Sequence, residues 1–352
     1  MKKIFVMMLL ATAFSCGNKN KNNIDKNKKI EKNTTTTEQV KQNQEEKTDF
    51  DKLSKKEQEE YLQKLEKIEA KYEKELMELK ISVKDIFKKI EKKYQETAKE
   101  MMVADASVNA SKEIKITDSK IEGIPYIPVG RKIPTNSKGQ QFMFLAQINC
   151  EDLKGLEDFP QEGILQFWIL GEDLLGLDFD DYTNRDGFDV IYYEKIEDHC
   201  SAAEFKRMYN PYKENSGNLE IANKPCKMNF SLKSSEKETF DYTLLEKLFE
   251  EVLKEKNIDV NEKEKLYQKV EGLFESNSDG ENGGTKCNGF PFFTQFEPRD
   301  EEQLKEYDTL LFQIDSGGEI MIGDCGVMNF FINREKLKNR DFSDVFYNWD
   351  CY

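Results

Sequence analysis

A single histidine, His199, serves a chain of 352 residues. Nucleophilic catalysis with an imidazole base needs that residue beside its partners, and multi-histidine metal centres need more than one. His199 lies in Glu197-Asp198-His199-Cys200, directly after a strand-like run, and reads as a surface residue. Both chemistries are therefore set aside. Also missing are the Gly-x-x-x-x-Gly-Lys and Gly-x-Gly-x-x-Gly loops that cradle nucleotide phosphates, and any Cys-x-x-Cys pair. Positive charge is short as well: 53 Lys plus Arg against 68 Asp plus Glu leave a net charge of -15. Such a surface repels nucleic-acid phosphate and anionic headgroups, so no nucleic-acid partner is expected.

Long apolar runs are absent too, and the one short run, residues 4–14, is too short to span a bilayer as a helix. Lys2 and Lys3 precede it, and Ala13-Phe14-Ser15-Cys16 puts small residues around the first cysteine. This pattern is a secretory signal, and it resembles the lipobox of bacterial lipoproteins. The resemblance implies that residues 1–15 are removed and that Cys16 is acylated. The chain would then be exported and lipid-anchored to the bacterial cell envelope membrane, with the bilayer as its first partner. Loss of Lys2 and Lys3 leaves 51 basic against 68 acidic residues, a balance of -17. Residues 16–49 form a Lys/Asn-rich tether expected to be disordered, because so polar a segment cannot offset its conformational entropy. A basic tether beside an acidic body suits a membrane surface.

From residue 50 the texture is helical. Leu65, Ile68, Tyr72, Leu76, Leu79, Val83, Ile86, Ile90 and Tyr94 recur at a mean spacing near 3.6, with neither Pro nor Gly between Phe50 and Met102. The stripe predicts one long amphipathic helix over 50–105, or a pair broken near Lys80-Ile81-Ser82. Its apolar face needs a cover, either within the chain or by self-association through residues 50–102 as a coiled coil.

Residues 115–352 are long enough for one globular domain. Strands are expected at 141–149, 163–170, 188–196, 227–233, 309–315 and 327–333, and helices at 241–255 and 261–274, the second capped by Asn261 with Glu264 three residues on. Residues 277–286 read as an exposed Gly/Asn-rich loop. Strands, then helices, then strands indicate an α+β fold with a mixed or antiparallel sheet. An internal echo refines this. Gly123-Ile124-Pro125-Tyr126 matches Gly289-Phe290-Pro291-Phe292, and the run around Gln147 matches that around Gln313, both at an offset of 166 (289 − 123, 313 − 147). Gln166-Phe167-Trp168-Ile169 echoes Asn329-Phe330-Phe331-Ile332 at 163. Two similar β units are expected, with Gln147 and Gln313 as buried structural pins.

These runs, together with Gly176-Leu177-Asp178-Phe179-Asp180-Asp181, Thr183-Asn184-Arg185-Asp186-Gly187-Phe188 and Gly323-Asp324-Cys325-Gly326-Val327, resemble the YwqG-like family over residues 121–352. Ile322 and Tyr182 stand where that family would have Trp and Pro. The resemblance implies a bacterial domain of unknown function, with a hint of toxin protection from the genes that accompany some members.

Chemistry has one acidic constellation to work with: Asp178, Asp180, Asp181, Asn184, Asp186 and Asp189 around Arg185 and Gly187. Ca²⁺ would take such oxygens, but Tyr182 and Tyr193 stand where an EF-hand needs its first and last ligands. Asx-turns use the same residues to satisfy loop backbone, with Arg185 pairing to one carboxylate. The turn is the favoured reading and no cofactor is assigned. Asp324, between glycines and followed at a distance by Asp350, is the other acidic point, and a carboxylate pair there would suit an envelope hydrolase. Six cysteines besides Cys16 permit from none to three disulfides; none to two are expected, with Cys325 as the free thiol. Two functions remain in view: a tethered binding or interaction module, protective against a toxin or otherwise partnered by a protein, and an envelope hydrolase or metal-dependent enzyme built on the Asp-rich loop and Asp324.

Overall fold

The computed structural model describes residues 55–78, 81–214, 221–238, 241–258, 263–278 and 282–352. The leader, Cys16 and the tether of 16–49 lie outside the described residues, as do Leu79, the Asn261 cap and the side chains of Leu65 and Ile68. The described chain forms two compact units, one of residues up to 88 with 253–270, the other of residues 89–252 with 271–352.

In the first unit the amphipathic stripe is broken where Ile81 and Ser82 leave helical geometry. Helix α1 (Lys55–Glu78) ends before them and α2 (Val83–Thr97) starts after them, its first turn capped by the Ser82 hydroxyl, which accepts from Asp85 N at 3.2 Å. Tyr72 is buried on α1, and the ammonium groups of Lys265 and Lys269 each lie 5.8 Å from its ring centroid. Tyr72, Leu76 and Ile86, and in the second unit Ile90 and Tyr94, are all buried within a single chain.

The second unit is built on ten antiparallel strands in the order β10-β9-β8-β7-β1-β6-β2-β3-β4-β5. They are β1 (Glu100–Ala110), β2 (Lys120–Ile121), β3 (Met143–Asn149), β4 (Ile164–Ile169), β5 (Phe188–Tyr193), β6 (Cys226–Lys237), β7 (Lys286–Asn288), β8 (Thr309–Asp315), β9 (Val327–Ile332) and β10 (Val345–Asp350). The sheet begins at Glu100, within the stretch read as helix and ahead of the boundary drawn at 115. Ala104, Ala106, Ser107 and Ala110 disguise β1, since small residues carry little strand preference. Helices α3 (Ala202–Met208), α4 (Tyr242–Lys256), α5 (Lys263–Ser278) and α6 (Arg334–Lys338) complete the described elements together with short 3-10 turns.

With β1–β5 exchanged for β6–β10 the strand order reads the same from the other end, and the register shows why. Cys287 of β7 pairs with Ala104 of β1, and Ile121 of β2 pairs with Cys226 of β6. Since 226 − 104 and 232 − 110 are both 122, the pairs Ala104↔Leu232 and Ala110↔Cys226 exchange under a two-fold axis through Ser107↔Asn229. Each repeat thus lends its first strand to the other: β1 precedes β2 in the chain yet lies beside β7. Counted between equivalent positions, the path from β6 to β7 is 44 residues longer than that from β1 to β2 (166 − 122), and α4 and α5 occupy it. The sheet curls into a nearly closed barrel, and the symmetry mates Phe167 and Phe330 meet in its core with ring centroids 4.8 Å apart.

The amide pins repeat atom for atom. Gln147 Oε1 accepts from Tyr126 N at 2.9 Å while its Nε2 donates to the carbonyls of Ile116 and Asp118. Gln313 Oε1 accepts from Phe292 N at 2.8 Å and Nε2 donates to Asn282 and Gly284, every partner shifted by 166. Both strand pairs carry a bulge at the matching place, Phe144/Ala146 and Leu310/Phe312. Asn282, Thr285 and Lys286 are consequently buried, which corrects the reading of 277–286 as an exposed loop. That segment supplies the carbonyls the second pin requires.

Two outcomes test this architecture. Gln147→Leu strands one buried N–H and two carbonyls, each worth about 1–3 kcal/mol when left unpaired, so urea titration should show a loss of roughly 3 kcal/mol or more, with Gln313→Leu comparable. Wild-type stability in either variant would refute the pin. A fragment starting at 115 lacks β1 and should unfold without a cooperative transition, whereas one starting at 99 should regain it; equal cooperativity would mean β1 is dispensable.

Candidate functional site

β5 and β10 end the strand order, and between them the barrel fails to close. A cavity of about 470 Å³ occupies this seam, walled by β5, by Arg340, Phe342 and Ser343 on the approach to β10, and by Thr135, Asn136 and Ser137. Register relates the two sides: Ile169↔Phe188 and Ile332↔Val345 give an offset of 157 (345 − 188). By that offset Arg185 corresponds to Phe342 and Asp186 to Ser343, and all four line the cavity. The seam therefore lies on the pseudo-two-fold, with different chemistry on its two flanks.

The Asp-rich loop shapes one flank. Asp178 Oδ1 accepts from the amides of Asp180 and Asp181, and its Oδ2 accepts from Asn184 Nδ2 at 2.8 Å. The Asn184 side chain, then these two amides, hold the Asp178 carboxyl below the usual range. Asp181 caps Thr183 through its amide and hydroxyl, and Asn184 Oδ1 accepts from Asp186 N. Asp186 latches a distant loop by accepting from Ser137 N at 2.6 Å and Ser137 Oγ at 2.8 Å. At the loop's exit Gly176 and Gly187 touch backbone to backbone: a Cβ on Gly176 would meet the Gly187 carbonyl oxygen at 2.1 Å. The carboxylates make turns, as expected from the sequence, and among the described residues no group of three or more His, Cys, Asp or Glu is placed to hold a metal ion.

Arg185 does not pair with any of them. Among the described residues its side chain makes no ion pair or hydrogen bond, and its Nε is buried without an acceptor. The guanidinium lies 5.4 Å from the Phe188 ring centroid. Nearby carboxylates are already engaged. Asp341 accepts from Ser343 N and Oγ; Asp344 accepts from Tyr307 Oη at 2.8 Å and pairs with Lys336. Asp189, also in the lining, is half-buried, and burial pushes its carboxyl pKa up while the charge of Arg185 pulls it down. Arg340, the second guanidinium in the lining, donates to the carbonyls of Asp158, Phe159 and Leu337, and so serves as a staple.

The other sites read from sequence fall apart in space or in role. Asp324 is exposed in a tight turn with Gly323 and Cys325 at positive φ, and its backbone carbonyl accepts from Tyr352 N. Asp350 is buried, and its two oxygens accept from Thr294 N and Oγ1 and from Gln295 N. The second carboxylate of the supposed hydrolytic pair is thus a loop cap. His199 is half-buried, its ring edge-on to Tyr126 at 5.5 Å. All six described cysteines are free, with Cys150, Cys226 and Cys287 buried and Cys325 exposed. A further cavity reaches Lys120, whose ammonium donates to the carbonyls of Lys115, Ile116 and Ile124. Burial lowers its pKa to about 8, but its three donors are spent on backbone. The sequence carried no signal that singled out the Arg185 seam, because the competing partners of its neighbours come from loops far along the chain.

The turn reading gives a direct outcome. Millimolar Ca²⁺ should leave the melting temperature unchanged, and Asp180→Asn with Asp186→Asn should alter that response in no way while modestly lowering stability through the Ser137 latch. A calcium-dependent rise of several degrees that the double variant abolishes would restore the cation site.

No curated protein matches the chain. Residues 119–351 match the family model described as a domain of unknown function, DUF1963, and the chain belongs to that family.

Proposed function

We propose that this chain is a lipid-anchored envelope protein that displays a YwqG-like binding module, and that the module receives its ligand in the seam at Arg185. The observation that carries the reading is the guanidinium itself. Its Nε, shut off from water, costs about 1–3 kcal/mol as an unpaired donor, and the same guanidinium belongs to the lining of a cavity that a ligand can enter. A residue kept at such a cost, on a flank whose symmetry mate is Phe342, is one whose charge is needed for something outside the fold. The leader, Cys16 and the basic tether support the anchored half of the proposal through their sequence alone. A toxin or other protein partner would meet the same face, whereas the hydrolytic alternative loses its motive because the Asp-rich loop and Asp350 are occupied as caps.

Each half has its own measurement. The wild-type chain should incorporate a palmitate analogue and partition into detergent, and Cys16→Ser should do neither; equal labelling would refute the anchor. Arg185→Met should leave stability within about 1 kcal/mol of wild type or raise it, since it removes an unsatisfied buried donor. A loss well beyond that would make Arg185 a structural residue and end the binding reading.

A further inference from the structure

We infer that the seam cavity binds a small zwitterion of the amino-acid class, its carboxylate on Arg185 and its ammonium toward Asp189. This rests on the reading of the seam as a ligand site and adds the ligand's chemistry. A planar guanidinium with free donors matches a two-oxygen acceptor, and a carboxylate offers that geometry with both bonds charge-assisted. A simple anion would satisfy Arg185 but would set a like charge before Asp189. The two side chains line one cavity and feel each other's charge, yet they form no contact ion pair, so a gap separates them. A ligand with opposite charges a few bonds apart bridges that gap with the correct polarity at each end. Asp189 also has reason to welcome a cation: burial is the main influence on its carboxyl and works against its ionised form.

Size and lining set the rest. A cavity of about 470 Å³ lies within the range of small-molecule sites. Phe142, Phe188 and Phe342 stand in the lining but are themselves buried, while Asp186 and Ser343 are held by Ser137 and Asp341 and do not compete for the ligand's charges.

The test uses the full chain and a thermal-shift panel of the common free amino acids at millimolar concentration, followed by calorimetry on the best of them. Its amide lacks the carboxylate and its N-acetyl form lacks the cation; each should bind about tenfold more weakly or worse. Arg185→Met should abolish binding of the free amino acid and of its N-acetyl form, whereas Asp189→Asn should weaken the free amino acid and leave the N-acetyl form unchanged. Acetate and inorganic phosphate serve as control anions. If no amino acid binds, or the N-acetyl form binds as well as its parent, the zwitterion assignment is overturned. Where acetate or phosphate then still binds in an Arg185-dependent way, the seam survives as an anion site; where neither does, the binding reading falls with it.

Discussion

Two buried glutamine amides set the conditions that the rest of the β unit obeys. Each takes one backbone N–H and gives to two backbone carbonyls of the segment that arrives before its own strand, so each fixes the path of a stretch that makes little regular pairing. Only a side chain with an acceptor and two donors in one plane can do this, which is why an amide stands at both positions. Once the paths of 116–126 and 282–292 are fixed, β2 and β7 fall beside β6 and β1, and the exchange of first strands follows. The exchange makes the repeats interdependent. Neither half can complete its sheet without a strand from the other, and the cores meet at Phe167 and Phe330.

Departures from the symmetry have local causes. Gln166 in the first half donates to Tyr126 O and accepts from Trp168 Nε1; in the second, Asn329 donates to Phe292 O, but the Phe331 side chain has no N–H to give. Asn329 Oδ1 is left buried without a partner as a result. The buried lysines diverge in the same way. Lys286 pairs with Glu236, which also accepts from Phe290 N, while Lys120 has Ile114 at the position related to Glu236 (236 − 122) and turns to three carbonyls instead. A buried ammonium needs its charge met, and the two halves meet it by different means.

Much of this was legible from the chain. Periodicity found β3, β4, β5, β6, β8 and β9, and the offset of 166 exposed the duplication because the glutamine pins and their Gly-x-Pro turns cannot vary without losing bonds. β7 escaped because three residues carry no periodicity, and β1 because alanine and serine suit a crowded central strand while saying nothing in isolation. β10 escaped because it lacked a flanking pattern of its own. Asp-x-x spacings encode local caps, and the acidic loop makes them. Arg185 was misjudged for a physical reason: proximity in sequence to five aspartates suggested a partner, while Ser137, 49 residues away, had already claimed the nearest carboxylate.

A barrel that stops short of closure leaves two free strand edges, and such edges invite pairing with other chains unless something covers them. Here the cover is built from the second repeat. Tyr347 Oη and Trp349 Nε1 of β10 reach the carbonyls of Leu175 and Leu174, Phe342 packs on Tyr192, and Arg340 staples residues 158 and 159. These contacts draw the flanks of β5 and β10 together without forming a strand pair, so a gap persists between them on the pseudo-two-fold. Duplication alone would line that gap with matching residues on both sides. The chain instead places a cation opposite an aromatic ring, Arg185 against Phe342, and thereby turns an unavoidable defect of closure into an asymmetric cavity. That asymmetry is what a ligand with a distinct head and tail requires.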